Sequence, residues 1–238
     1  MKRREFLSSI AALSVTSALP VASAQEVKGG QPWEPGKVNT PLAPPRKGGL
    51  QFFTPHEFAT VGTIAEIFIP ADELSISGKE AGCATFIDRQ LASDYGRATT
   101  LYRRGRFIKG TPEQGPQSPL TPAERYRQGL TALDAYTQKQ FGKNFIDLTN
   151  AQQVTLLTAM EANQLNLGAD VETKPFFELM LQNVREGFLA DPIYGGNKGM
   201  ASWKMLGFPG ARYDFRDVLS KKGQKLNIIP TSLIDNTL

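Results

Sequence analysis

An all-α fold is predicted for this chain: an irregular helical bundle with long loops, preceded by an extended Pro/Gly-rich N-terminal arm. Three observations lead there. Helix-start signals of capping-box form recur along the chain. The apolar residues that follow each of them return at three- and four-residue spacing. No stretch alternates apolar and polar residues with the period of two that a half-buried strand requires, and no longer internal repeat is visible.

Thr54-Pro55-His56-Glu57 sets the first helix, with threonine as N-cap, proline at the first helical position and glutamate at the third. Phe58, Val61, Ile64, Ala65 and Phe68 then share one face, and Pro70 ends the helix. His56 falls at the second helical position, where a side chain normally points to water. Glu80 to Tyr95 reads as a second helix with Phe86, Ile87 and Leu91 on one face, and Asp88 in its middle is a candidate for pairing with a neighbouring basic group. Thr121-Pro122-Ala123-Glu124 repeats the first signal and opens a helix carrying Tyr126, Leu130, Leu133 and Phe141. Thr149-Asn150-Ala151-Gln152 opens another, with Val154, Leu156, Leu157 and Met160, and Pro175 opens a long segment running to about Ala190. These helices form one domain, residues 51–216, large enough for a sizeable core; residues 217–238 read as a C-terminal tail.

The first 24 residues read differently. Lys2, Arg3 and Arg4 form a positive head, a small-residue apolar stretch follows from Phe6, and Ala22-Ser23-Ala24 has the small-x-small form of a signal-peptidase site. Serines and Pro20 make the stretch a poor permanent membrane span. Arg3-Arg4 followed by Phe6-Leu7 resembles a twin-arginine export signal, a route that carries folded proteins. Cleavage after Ala24 would leave the mature protein in the periplasm or outside a membrane. It would also remove Lys2, Arg3, Arg4 and Glu5, lowering the formal net charge from +4 to +2, so bulk charge does not direct this protein to polyanions and nucleic acid is not an expected partner. Residues 25–50 are dense in proline and glycine. They form either a tether or an arm that wraps a partner, with Trp33 as its anchor.

Cys83 is the only cysteine and His56 the only histidine. An internal disulfide, a thiolate-ligated cluster, a Cys/His zinc site and a CxxCH haem are therefore excluded within this chain. No GxGxxG or GxxxxGK[ST] is present. Cys83 reads as a small buried hydrophobe on a helix. No residue is singled out as catalytic, cofactor-binding or metal-binding.

Two segments hold concentrated chemistry. Arg97, Arg103, Arg104, Arg106 and Lys109 form a basic run interleaved with Tyr95, Tyr102 and Phe107. It suits a solvated surface, anionic lipid heads or an acidic protein face. The second is DPIYGGNKGMASWKMLGFPG, residues 191–210. Asp191 is a helix-exit turn former that hydrogen-bonds backbone N–H groups, with a general-base role as the minority reading. Gly195 and Gly196 permit unusual backbone angles, and Asn197 ties the loop. Trp203, Met205, Leu206 and Phe208 are large apolar groups that a loop does not easily bury alone, and Gly207 and Gly210 flank Phe208-Pro209 so that backbone can approach another surface. The segment either docks a partner as a rigid shaped loop or packs on its own domain.

Phe145, Leu148, Gln152-Gln153, Phe176-Phe177, the run from Gly187 to Asn197, Trp203 and Gly207-Phe208-Pro209-Gly210 together resemble the gluconate 2-dehydrogenase subunit 3 family. The resemblance covers most of residues 50–212. It implies a small subunit of a membrane-associated dehydrogenase whose large subunit carries FAD and oxidises a sugar, polyol or aldonate. A multihaem cytochrome c subunit, where present, passes electrons towards quinone. The small subunit has no redox group; its implied work is to help the large subunit mature and to lend it an export signal for the twin-arginine translocase. The complex would sit in the periplasm, held to the cytoplasmic membrane through its partner subunits. Trp33, Asp191, Tyr194, Gly195, Gly196, Asn197, Trp203, Phe208 and Pro209 are then the expected partner contacts. Two other classes stay open: a free-standing periplasmic enzyme using Asp191 and Tyr194, and an envelope module holding a ligand between helices.

Overall fold

The computed structural model describes residues 48–234, apart from 104, 115–116, 169–170 and 213. The leader with Arg3, Arg4, Phe6 and Leu7, and the arm with Trp33 up to residue 47, lie outside the described residues. Within them the structure is helical: α1 (Pro55–Phe68), α2 (Cys83–Ala92), α3 (Asp94–Arg97), α4 (Pro122–Phe141), α5 (Asn150–Glu161), α6 (Thr173–Leu189) and α7 (Ala201–Leu206), joined by short 3-10 turns. The β-type pairing among the described residues is an isolated parallel bridge between Gly210 and Thr231. The all-α expectation holds.

The three capping boxes form as the sequence predicts. At α1, Thr54 Oγ1 accepts the Glu57 N–H (3.2 Å) and the Glu57 carboxylate accepts the Thr54 N–H (2.8 Å). Thr121 with Glu124 and Thr149 with Gln152 repeat the exchange at α4 and α5. Each box satisfies two N–H groups that the helix itself leaves without acceptors.

The single helix expected from Glu80 to Tyr95 is instead a turn, a helix and a second short helix. Glu80 orders the turn, its carboxylate accepting both the N–H (2.9 Å) and the hydroxyl (3.0 Å) of Ser77. Gly82, with φ +82°, then leads into α2 at Cys83. Ser93 breaks the helix: its hydroxyl donates to the Gln90 carbonyl (2.7 Å) and accepts the Tyr95 N–H, which starts α3.

α2 and α6 form the principal helix pair, with α1 on α2, α5 on α6 and α3 on α4. The aromatic residues Phe53, Tyr126 and Phe176 run through the centre with ring centroids 5.9 Å apart at each step. Gly129 allows α4 to approach α6 closely, since a Cβ there would lie 2.4 Å from the Phe176 ring. Tyr126 is fully buried and donates to Asn183 Oδ1 (3.1 Å), which also meets Tyr95. Burial pushes the Tyr126 hydroxyl well above its ordinary pKa, so it remains a donor.

Two polar side chains take roles that local sequence did not indicate. His56, expected to face water, is half-buried, with Nε2 2.6 Å from Asp134 Oδ2 on α4. The other Asp134 oxygen accepts the Phe145 N–H (3.1 Å), so the pair joins α1, α4 and the turn at Phe145–Asp147. Asp88, a candidate for pairing with a base, is 2% exposed and accepts three backbone N–H groups: Gln51 (2.7 Å), Phe52 (3.0 Å) and Phe53 (2.8 Å). Three converging donors satisfy the buried carboxylate. Cys83 is fully buried at the start of α2, and burial pushes its thiol up to about 12, which leaves it unreactive at neutral pH.

Beyond α7 the chain makes a 3-10 turn at Arg216–Val218 and then returns to the domain. Asp214 is held at about 2 by its hydrogen bonds from Arg216. The returning tail does not hang free. The Ala211 N–H donates to the Thr231 carbonyl (2.7 Å), and the Thr231 N–H donates to the Pro209 carbonyl (3.2 Å).

Candidate functional site

The loop between α6 and Ala211 has an inner and an outer side. The inner side begins at Asp191, where α6 ends. Asp191 Oδ1 accepts the Ile193 N–H (2.9 Å), the turn-forming contact that the sequence predicts. The same oxygen accepts the Ser232 hydroxyl (2.7 Å), and Oδ2 accepts the Leu233 N–H (3.0 Å). A general base needs an oxygen free to take a substrate proton. Here both oxygens are engaged, one of them twice, in holding the turn and the tail.

Gly196 lies against the last turns of α6, where a Cβ would stand 2.0 Å from the Gly187 carbonyl oxygen. Only glycine permits that approach. Asn197, fully buried with φ +46°, donates from Nδ2 to the Ala190 carbonyl (3.0 Å) and accepts the N–H (3.0 Å) and hydroxyl (2.8 Å) of Ser202. Asparagine tolerates this left-handed geometry better than most residues. The Lys198 N–H reaches across to the Ala81 carbonyl (3.0 Å), fixing the loop to the turn before α2. Trp203 is 5% exposed; its indole N–H donates to the Leu189 carbonyl (2.8 Å), and its ring meets Phe208 edge-on at 5.3 Å. Asn197 and Trp203 are thus turned into the domain rather than presented outward.

The outer side is apolar and open. Tyr194 is 45% exposed, Leu206 61% and Phe208 47%, with Met205 beside them. Pro209 and Gly195 are half-buried. Tyr194 also stands at one end of an open groove of about 840 Å³ between α2 and α6. Phe86, Leu181, Leu189 and Ala190 supply its apolar floor, with Gln90, Arg185 and Glu186 among the polar residues around it. Of the two readings left open by the sequence, packing on its own domain is the one seen here. The loop packs on its own domain through Gly196, Asn197 and Trp203, and that packing holds Tyr194, Leu206 and Phe208 at the surface.

Sequence reasoning missed the groove and the contact of the tail with Asp191. The groove needs α2 and α6 side by side, and the tail reaches Asp191 from 41 residues away; neither contact leaves a local pattern. Among the described residues no group of three or more His, Cys, Asp or Glu side chains converges as a metal site would.

A family model described as gluconate 2-dehydrogenase subunit 3 matches residues 55–210. Comparison with curated proteins and with solved structures gives no match. The matched span begins at the first residue of α1 and ends at Gly210, where the loop meets the returning tail.

Proposed function

The chain belongs to the gluconate 2-dehydrogenase subunit 3 family, and from that premise we propose that it is the noncatalytic small subunit of an FAD-dependent sugar, polyol or aldonate dehydrogenase. In this reading it binds the flavin-bearing large subunit, aids its maturation, and carries it to the periplasm on the twin-arginine leader. FAD belongs to the large subunit, and haem c to a cytochrome subunit where the complex has one.

One observation carries the reading: large apolar side chains are held at the surface by a loop braced from beneath. Tyr194 and Phe208 are each nearly half exposed, while the residues that position them are buried and hydrogen-bonded. Such groups suit a protein interface, where a few aromatic anchors supply most of the binding energy. A loop already fixed in shape also loses little conformational entropy on binding.

The test is co-expression of the tagged chain with its flavoprotein partner, reading flavin absorbance in the purified complex. Tyr194→Ala with Leu206→Ala is expected to weaken the complex about thirtyfold or more, while the melting temperature of the isolated chain stays close to that of the parent, because Phe208 is left in place over Trp203. Unchanged retention of the flavoprotein would remove this face from the interface; no retention by the parent chain would remove the proposal. For the leader, Arg3→Lys with Arg4→Lys is expected to lower the amount of flavoprotein in the periplasm. Normal export in that variant would show that the paired arginines are not the signal.

A further inference from the structure

The segment between α3 and α4 has an exposure pattern that the proposed subunit contact does not use. Within eight positions it presents Leu101 (63% exposed), Tyr102 (88%), Phe107 (46%) and Ile108 (80%). Single exposed apolar residues are ordinary, but four so close together mark an interaction surface. Arg103, Arg106 and Lys109 stand among them and are exposed, and no acidic residue occurs from 98 to 112. Nearby acids offset part of this charge. Glu172 pairs with Lys109 (2.9 Å), Glu124 lies within electrostatic reach of Arg103, and Glu113 follows in the next turn.

We propose that residues 101–109 dock the protein on an anionic lipid surface. The chemistry matches that partner position by position. Leu101 and Ile108 are aliphatic tips for the acyl boundary, while Tyr102 and Phe107 have the ring character favoured at headgroup level. Arg103, Arg106 and Lys109 have long stems that let their charges reach lipid phosphates. The apolar tips protrude from an exposed loop, which suits a deformable lipid surface. Among the described residues no helix is long and apolar enough to cross a membrane, so this contact would be peripheral.

Its position leaves the proposed subunit interface free. Lys109 is tied to Glu172, immediately before α6 begins, whereas Tyr194 lies just beyond the end of the same helix. A helix of 17 residues is about 25 Å long at ~1.5 Å per residue. Lipid at one end and a protein subunit at the other are therefore compatible.

The test uses the full chain with Thr100→Cys, labelled with an environment-sensitive dye; fully buried Cys83 stays unlabelled while the fold is intact. Vesicles of phosphatidylglycerol with phosphatidylcholine are compared with phosphatidylcholine alone. The expected result is a blue shift only with the anionic vesicles, weakening as salt is raised. Arg103→Gln/Arg106→Gln/Lys109→Gln should weaken the dye-reported binding about thirtyfold, on the basis of roughly 1 kcal/mol per cation at such a surface, reduced by the Glu172 pair. Leu101→Ser/Ile108→Ser should abolish the shift. Circular dichroism and continued protection of Cys83 establish that the variants remain folded. A dye signal indifferent to headgroup charge, or one that survives all five substitutions, overturns the proposal. So does vesicle binding with no dye response, which would assign the lipid contact to the leader. A dye that responds to the flavoprotein partner and not to vesicles also overturns it, making the segment a protein interface.

Discussion

Trp203→Ala is expected to lower the unfolding free energy of the isolated chain by about 3–5 kcal/mol, the range for deleting a large buried aromatic side chain. The indole is 5% exposed and meets Phe208 edge-on. Its N–H satisfies the Leu189 carbonyl at the end of α6, a position where helices leave carbonyls without internal partners. The alanine variant loses the ring contacts, opens a cavity beneath the loop and removes that donor together. Trp203→Phe separates these effects: it keeps most of the volume, loses the N–H, and is expected to cost about 1–2 kcal/mol. Chemical denaturation of the chain without any partner is the appropriate measurement. Were Trp203 primarily a partner contact, its removal would weaken the complex and leave the isolated chain's stability unchanged. That result would contradict the bracing role assigned here.

Asp88→Ala is the second large effect, expected at about 3–5 kcal/mol because it strands three backbone donors that converge on one buried carboxylate. The consequence is not confined to residues 51–53. Phe53 enters the core against Tyr126, Phe52 lies under the Arg127 guanidinium at 4.2 Å, and Thr54 caps α1. Releasing this segment should loosen the core and the start of the first helix together. Asp88→Asn retains a carbonyl oxygen but loses the charge and one acceptor, so roughly half the effect is expected. Denaturation gives the magnitude, and amide hydrogen exchange gives the location. The Gln51, Phe52 and Phe53 amides should lose protection before the middle of α6 does. Equal protection of those amides in Asp88→Ala and the parent would rule out the anchor.

Both residues show why the sequence was only partly legible. Asp88 sits mid-helix with an arginine next to it in the chain, and a local reading turns naturally to a charge pair. Its actual partners are backbone N–H groups, which every non-proline residue carries and which leave no compositional trace. Trp203, in a glycine-rich loop with no period, fitted a partner-docking group and a group packed on its own domain equally well. Burial comes from the last turns of α6 and from Phe208, which fold together over it. The break in the helix expected from Glu80 to Tyr95 is of another kind. The signal was present in Ser77, Glu80 and Ser93, but two apolar-periodic stretches ran together across it and obscured the short-range hydrogen bonds that end one helix and begin the next.

The sequence by itself determined the helical class, the three capped helix starts, the turn-forming role of Asp191 and the family motif of the loop. These rest on interactions among residues a few positions apart, which survive whatever the rest of the chain does. Only the tertiary structure decided which side chains of that loop face inward, where the groove between α2 and α6 opens, and what Asp88, His56 and the returning tail hold. The contacts of Asp88, of His56 and of Asp191 with the tail join residues 35 to 78 positions apart. Their geometry exists only after the helices have packed, because burial is a property of assembled surfaces and not of any one segment.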